Sequence, residues 1–312
     1  MDGAAPAAEQ TPTASAPRPR RALMLLNGKA RNGGGPIDAV LAELERGGIT
    51  VEEHGCDGAA AMSSAIRDRV GDVDLVIVGG GDGTLNCTAG AVMDTGLPMG
   101  VLPLGTANDL ARTLGIPPDP VAAAGIIVAG HLRTIDVGEV NGRAFFNVAS
   151  IGFSADLAKE LTAELKKRWG VLGYAVASAR LLARMRPFTA FIEHDGAIHK
   201  VKTVQISVGN GRHYGGGLTI DADAEPDDGK LHVHSIEFDH WWRLLALAPA
   251  LKRGTVSSWR DVRAFTTAAV TIRTRRARSV NTDGELTGAT PATFRVIPAA
   301  VRVFAPESPP PR

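Results

Sequence analysis

The segment Val76-Ile77-Val78-Gly79-Gly80-Gly81-Asp82-Gly83-Thr84-Leu85-Asn86 constrains this chain more than any other. A short β-branched run reads as a strand buried on both faces of a parallel sheet, and this one empties directly into glycines, an aspartate and a threonine. Glycines carry no Cβ to hold a ligand away, so several backbone N–H groups of the turn can face a phosphate chain. Spacing excludes two familiar cradles. Counting from Gly79 or Gly81, the third glycine of a dinucleotide fingerprint falls on Thr84 or Asn86, and no Gly-Lys-Ser/Thr follows to complete a P-loop. Asp82 repels bare phosphate, which makes Mg2+ or metal-bound water on a nucleotide its natural partner. The plain alternative is a glycine-rich turn with no ligand.

The elements around this turn alternate. Ala22 to Leu26 reads as the first strand, ending at the polar turn Asn27 to Gly33, which can present amides and cations to a nucleotide. Helical spacing of Ile37, Val40, Leu41 and Leu44 predicts a helix over 37–46, stopped by Gly47-Gly48. Strands then follow at 49–53, 73–78 and 99–103, with helices at 59–70, 85–93, 109–114 and 121–129. Such alternation predicts right-handed crossovers and a parallel sheet whose ligands lie beyond the carboxyl ends of its strands. Both glycine turns, at Gly79–Gly81 and at Leu104-Gly105-Thr106, fall at that edge. Taken alone, Thr106, Asn108 and Asp109 read as caps of the helix 109–114.

Beyond a boundary near Thr134 the pattern changes. Segments 133–140, 143–148, 188–194, 197–209 and 230–237 read as strands without intervening helices, which predicts an antiparallel β-sandwich. A helical insertion over 157–186 mixes Lys166, Lys167, Arg168, Arg180 and Arg184 with Trp169, Leu172, Tyr174 and Leu181. That composition suits an anionic bilayer surface and equally a solvated helix face. The loop Gly215 to Lys230 carries Asp221, Asp223, Glu225, Asp227 and Asp228, read either as a cation site or as a solvated acidic turn. His232 and His234 share a strand face, and with no further ligand at metal spacing they are expected to be exposed. Asp283-Gly284, read bare, is a hairpin turn.

Several of these segments together resemble a known family. Gly80 to Asn86 resembles the Gly-Gly-Asp-Gly-Thr-x-Asn signature of the diacylglycerol and sphingosine kinase superfamily, and Pro103 to Arg112 resembles its second block. Leu25 to Lys29, Gly209-Asn210-Gly211-Arg212, Gly215-Gly216-Gly217 and Asp283-Gly284-Glu285 are similar, more narrowly, to bacterial YegS-type lipid kinases. The resemblance runs from about Ala22 to Phe304 in unchanged order. It implies ATP-dependent phosphorylation of a lipid hydroxyl, with ATP contacts at Asn27, Gly80, Gly81, Asp82, Gly83, Thr84, Leu85, Asn86 and Thr106. It implies Asp283 as the catalytic base with Glu285 beside it, and a structural Mg2+ held by the Asp228 side chain and the carbonyls of Glu225 and Lys230. The strands of 291–304 are expected to pack back on the first domain. Two positions depart from the family: His54 stands for a nucleotide-contacting threonine, and Cys87 for a glutamate.

Composition narrows the setting. A chain of 312 residues with 44% apolar content supports a sizeable core in two domains, 21–134 and 135–290. Its formal net charge of +1 argues against a nucleic-acid binder that relies on overall positive charge. Cys56 and Cys87 make no disulfide framework and fit a reducing cytoplasm. Residues 1–20 read as a disordered tail and 305–312 as a proline-rich tail. No apolar stretch is long enough to span a bilayer, so contact with the membrane substrate is expected to be peripheral, at its inner face. Competing expectations are an NAD kinase-like enzyme, which shares the Gly-Gly-Asp-Gly-Thr turn, and a catalytically silent nucleotide- or lipid-binding regulator, which the two departures support.

Overall fold

A computed structural model describes residues 20–27, 35–56, 58–160, 186–214, 218–219, 224–237 and 259–307. The expected N-terminal tail and most of the basic helical insertion lie outside these residues. Through the first part of the chain run β1 (Arg20–Asn27), α1 (Gly35–Arg46), β2 (Ile49–Cys56), α2 (Ala59–Asp68), β3 (Leu75–Gly80), α3 (Asp82–Thr95), β4 (Met99–Pro103), α4 (Asp109–Leu114) and α5 (Pro120–Ala129). The four strands are parallel in the order β2-β1-β3-β4. Helices on both faces require strands that are apolar throughout, and Leu23, Met24, Leu25, Val76, Ile77 and Val78 are all fully buried. α1 packs with α5, and α2 with α3. Strand order reverses between β1 and β3, so the crevice that a parallel sheet offers a ligand opens where Asn27 and Gly80 end their strands.

The second part contains β5 (Leu132–Val140), β6 (Arg143–Phe145), β7 (Val148–Gly152), α6 (Phe153–Glu160), β8 (Phe188–His194), β9 (Ala197–Thr203) and β10 (Gln205–Gly209). After them come β11 (His213–Tyr214), β12 (Leu218–Thr219), β13 (Leu231–Ile236), β14 (Val262–Thr267), β15 (Ala269–Thr274), β16 (Ser279–Thr282), β17 (Glu285–Ala289) and β18 (Ala292–Phe304). One layer is an antiparallel sheet ordered β14-β13-β10-β7-β16-β17. The other continues the parallel sheet itself, as β4-β18-β15-β8-β9, with β5 and β6 attached through β18. Side chains of both layers, among them Phe145, Ile151, Ile192, Val208, Val233 and Phe294, form the sandwich core.

β18 therefore belongs to both halves. Its start pairs antiparallel with β15, its end pairs parallel with β4 at Val303, and β5 runs along most of it across a bulge between Ile297 and Val301. The segment expected to pack back on the first domain is the strand through which the two halves share one sheet.

Three expected elements differ for local reasons. Segment 197–209 is two strands in different sheets, because Val204 N donates to Ile236 O and Thr203 Oγ1 donates to Gln205 O and Ile236 O where the chain crosses over. Segment 143–148 is interrupted at Phe146 and Asn147, whose amides turn to a carboxylate described below. His232 and His234 are buried, not exposed, because the outer face of the six-stranded sheet is covered along this strand.

Candidate active site

The glycine signature is less a loop than the first turn of a helix. α3 begins at Asp82, three residues earlier than the spacing of apolar residues predicts, with Gly81 O accepting from Thr84 N at 2.9 Å and Leu85 N at 3.1 Å. The N-terminus of this helix, whose amides point outward and whose dipole favours an anion, stands at the mouth of the crevice. A Cβ on Gly80 would come within 2.6 Å of Thr84 Cβ. The second turn lies directly against the first: a Cβ on Gly81 would stand 3.2 Å from Gly105 Cα, and one on Gly105 would overlap Gly81 Cα. Leu104 N donates to Gly80 O at 3.1 Å, which joins the two turns.

Asp82 ties the two signatures together. Its Oδ1 accepts from Leu110 N at 3.0 Å, so a carboxylate of the first signature caps the helix of the second. Asn108, the expected cap, instead sits in the left-handed region at φ 52° and folds its side chain back, accepting from Gly105 N and donating to Gly105 O, both at 2.9 Å. Thr106 is exposed on this turn, and Asn27 closes β1 at the same edge of the sheet. The Leu85 side chain is fully buried, and its amide donates to Gly81 O within the helix.

Asp283 arrives from the other half. Asp283 and Gly284, with φ of 48° and 95°, form the two-residue turn between β16 and β17, so the hairpin reading of this dipeptide and a functional one are compatible. The carboxylate is received by three successive amides: Oδ2 by Phe146 N at 3.1 Å and Asn147 N at 3.2 Å, Oδ1 by Val148 N at 2.8 Å. Phe146 N also donates to Asn86 Oδ1 at 3.2 Å, so α3 and the hairpin that carries Asp283 share one donor. Burial pushes Asp283 up to about 7, and the charge of Asp82 adds in the same direction against the pull of the three amides. Glu285 lies over the start of α3, where a Cβ on Gly83 would come 3.1 Å from its Oε1. Beside it, burial followed by the charge of Glu285 raises the Cys87 thiol.

Asn147 and the 146–148 amides were not visible in the residue pattern, which reads there as an uninterrupted strand. Asn210, by contrast, lies in a segment that the sequence marked. Its Nδ2 donates to Asp136 O at 3.1 Å and Phe146 O at 3.0 Å, and so supports the amides from behind. Glu225, Asp228 and Lys230 gather in one turn. Asp228 Oδ1 accepts from Lys230 N at 2.9 Å, Oδ2 meets His232 Nε2 at 2.8 Å, and Glu225 carries ion pairs to Arg212 and Arg133. Burial alone would raise Asp228, but His232 and the neighbouring amides hold it below the ordinary carboxylate value. Among the described residues no three His, Cys, Asp or Glu side chains form a metal cage.

Comparison with known proteins gives concordant matches. Residues 21–140 match the diacylglycerol kinase catalytic domain, and residues 147–305 match the YegS C-terminal NAD kinase beta sandwich-like domain. A diacylglycerol kinase of Mycobacterium tuberculosis (strain H37Rv) is 33% identical over 275 residues, 85% of this chain and 88% of that protein. One from Bacillus subtilis (strain 168) is 29% identical, over 86% and 90%. A crystal structure from Bacillus anthracis str. Sterne superposes with a TM-score of 0.81 at 24% identity, covering 95% of this chain and 99% of that one. At that identity the superposition speaks for the fold alone.

Proposed function

Because the chain belongs to the diacylglycerol kinase family, with a second half of the YegS type, we propose that this lipid kinase transfers the γ-phosphoryl group of ATP to a lipid hydroxyl, diacylglycerol and phosphatidylglycerol being the first acceptors to test. One observation carries the reading: Phe146 N joins Asn86 of the glycine-turn helix to Asp283 of the opposite half, so phosphate cradle and candidate base face one crevice.

Phosphoryl transfer rests on positioning and on neutralising charge. In this reading Gly80, Gly81 and Gly83 let the triphosphate approach the start of α3, and Asn27, Thr84, Asn86 and Thr106 border it. Asp82 fits a Mg2+ contact, since its Oδ1 is held by Leu110 N and Asn147 Nδ2 while Oδ2 has no hydrogen bond among the described residues. Bound there, Mg2+ supplies charge neutralisation for the phosphates. Asp283 accepts the proton of the acceptor hydroxyl, a task suited to a carboxyl raised to about 7. Glu285, over Gly83, borders the same space.

The test is incubation of the protein with labelled ATP, Mg2+, a panel of lipid alcohols and NAD. Label in a lipid is expected. Label in NAD instead would make the chain an NAD kinase-like enzyme, and ATP binding without transfer would make it a regulator.

The same reading puts a structural cation on the turn of Glu225, Asp228 and Lys230, supported by the Asp228 carboxylate, which His232 and the amides of Lys230 and Glu225 hold below the ordinary carboxylate value. Chelation is then expected to lower the melting temperature and Mg2+ to restore it; a midpoint indifferent to both removes the cation from this turn. No described helix is long and apolar enough to cross a membrane. A lipid acceptor accordingly calls for peripheral contact, which we place at the inner face of the membrane. Co-sedimentation with anionic vesicles is the expected result, and a protein left wholly in the supernatant would contradict it.

A further inference from the structure

Asn147 bonds a carboxylate from each half of the crevice. Its main-chain N–H donates to Asp283 Oδ2, and its side-chain Nδ2 donates to Asp82 Oδ1, both at 3.2 Å. Its own carbonyl accepts from Asn210 N at 2.8 Å and Gly211 N at 3.1 Å, which pins the main chain from behind. Asp82 dictates how the amide is turned, because an amide oxygen facing a carboxylate oxygen finds only another acceptor.

That orientation has a cost. Asn147 Oδ1 is left without a hydrogen-bond partner in a residue only 2% exposed. Gly211, which has no side chain to donate, lies on that side, and a Cβ on it would stand 3.4 Å from Asn147 Oδ1. A buried acceptor without a partner is unfavourable, and an apolar side chain at this position would avoid the penalty. The compensating gain lies on the other atom of the amide, the donor to Asp82. A cationic donor would bond Asp82 as well, but would bring a positive charge next to Asp283 and favour its ionised form, making it a weaker base. A neutral amide holds two mutually repelling carboxylates in place without that effect.

We propose that Asn147 is a positioning residue for phosphoryl transfer, holding Asp82 in register with the hairpin that carries Asp283, so that the metal-facing carboxylate and the base keep a working separation. The inference rests on the lipid kinase reading above. It concerns the chain's own contacts, however, and can be tested without substrate.

Two variants separate the atoms of the side chain. Asn147→Ala removes donor and acceptor, whereas Asn147→Asp keeps the shape and the acceptor but sets a charge against Asp82. With the lipid that the labelling panel identifies as acceptor, kcat is expected to fall about 10²-fold in the first, the scale of a misplaced reacting group, and at least as far in the second. KM for ATP and for the lipid should change less than about threefold in both, as expected when ground-state binding is untouched. Near-parental kcat in Asn147→Asp would show that the acceptor atom is the functional one and would overturn the proposal. A loss carried by KM alone would overturn it too.

The substrate-free arm is a double-mutant cycle of Asp82→Ala and Asn147→Ala read by melting temperature. The losses are expected to be sub-additive, because either change alone already breaks the bond. Additive losses would overturn the clamp whether or not the protein phosphorylates lipid, while sub-additive losses in a protein that transfers no phosphate would leave the clamp standing and sink the kinase reading alone.

Discussion

Asp283→Asn is expected to lower kcat by roughly 10²- to 10⁴-fold, the range that a general base contributes, while ATP affinity and far-ultraviolet circular dichroism stay close to those of the parent. The substitution is isosteric and the hairpin turn retains a residue that tolerates positive φ, so the hairpin keeps its shape, although the new Nδ2 cannot accept from the main-chain N–H it faces and part of the three-amide seat is lost. What disappears is the group proposed to take the proton. Turnover within a few-fold of the parent would remove Asp283 from this role.

The same residue makes two pH dependences run in opposite directions. Activity requires the ionised carboxylate, so kcat/KM is expected to rise with pH through a midpoint near 7. Stability behaves otherwise. The folded-state value of about 7 lies above the ordinary 3.8, so between those limits the folded protein holds a proton that the unfolded chain has released. The contribution of Asp283 to stability is therefore fully present below about 3.8 and is lost as pH rises through about 7. The melting temperature of Asp283→Asn relative to the parent should therefore rise from the acid to the alkaline end of this window. A constant difference would show that Asp283 ionises as freely in the fold as in the unfolded chain.

Gly105→Ala is expected to be the most damaging small change in the first half. The added Cβ overlaps Gly81 Cα and lies 2.8 Å from Asn108 Oδ1, and the crowded partner is backbone that cannot swing aside. Overpacking of this kind costs on the order of 1–3 kcal/mol, and relief requires the two turns to part. In the proposed function the phosphates sit against those turns, so ATP affinity should fall about tenfold or more, equivalent to about 1.4 kcal/mol. Gly125→Ala is the control: it lies within α5 with nothing near its Cβ, and it should raise stability by about 0.4–1 kcal/mol. Calorimetric titration with ATP and thermal melting of the two variants would decide the matter. Equal behaviour would mean that the contact between the turns is not what shapes the seat.

Much of the first half was legible because its signals are local. Val76 to Val78 is apolar at every position, glycines follow at once, and the same grammar recurs at Met99 to Gly105. The boundaries missed were those where a side chain or a remote backbone intervenes. α3 starts early because Gly81 O collects the first amides of the helix, and Asn108 fails as a cap because Asp82, from 26 residues earlier, supplies the acceptor at Leu110 N. The histidines at 232 and 234 alternate with apolar residues as an exposed face does, and only the packing above that sheet shows them to be buried.

Residue order alone determined the parallel sheet, the two glycine turns at one edge and the carboxylate-bearing hairpin, since each follows from steric preferences that act over a few neighbours. Tertiary structure alone decided that β18 makes one sheet of two halves, that three amides at 146–148 receive Asp283, and that Asn147 stands between Asp82 and Asp283. Those partners lie 65 and 136 positions from Asn147 along the chain. Nothing in local propensity reports on such separations. They are set by which surfaces bury one another and by which polar groups must then find partners in the space that remains.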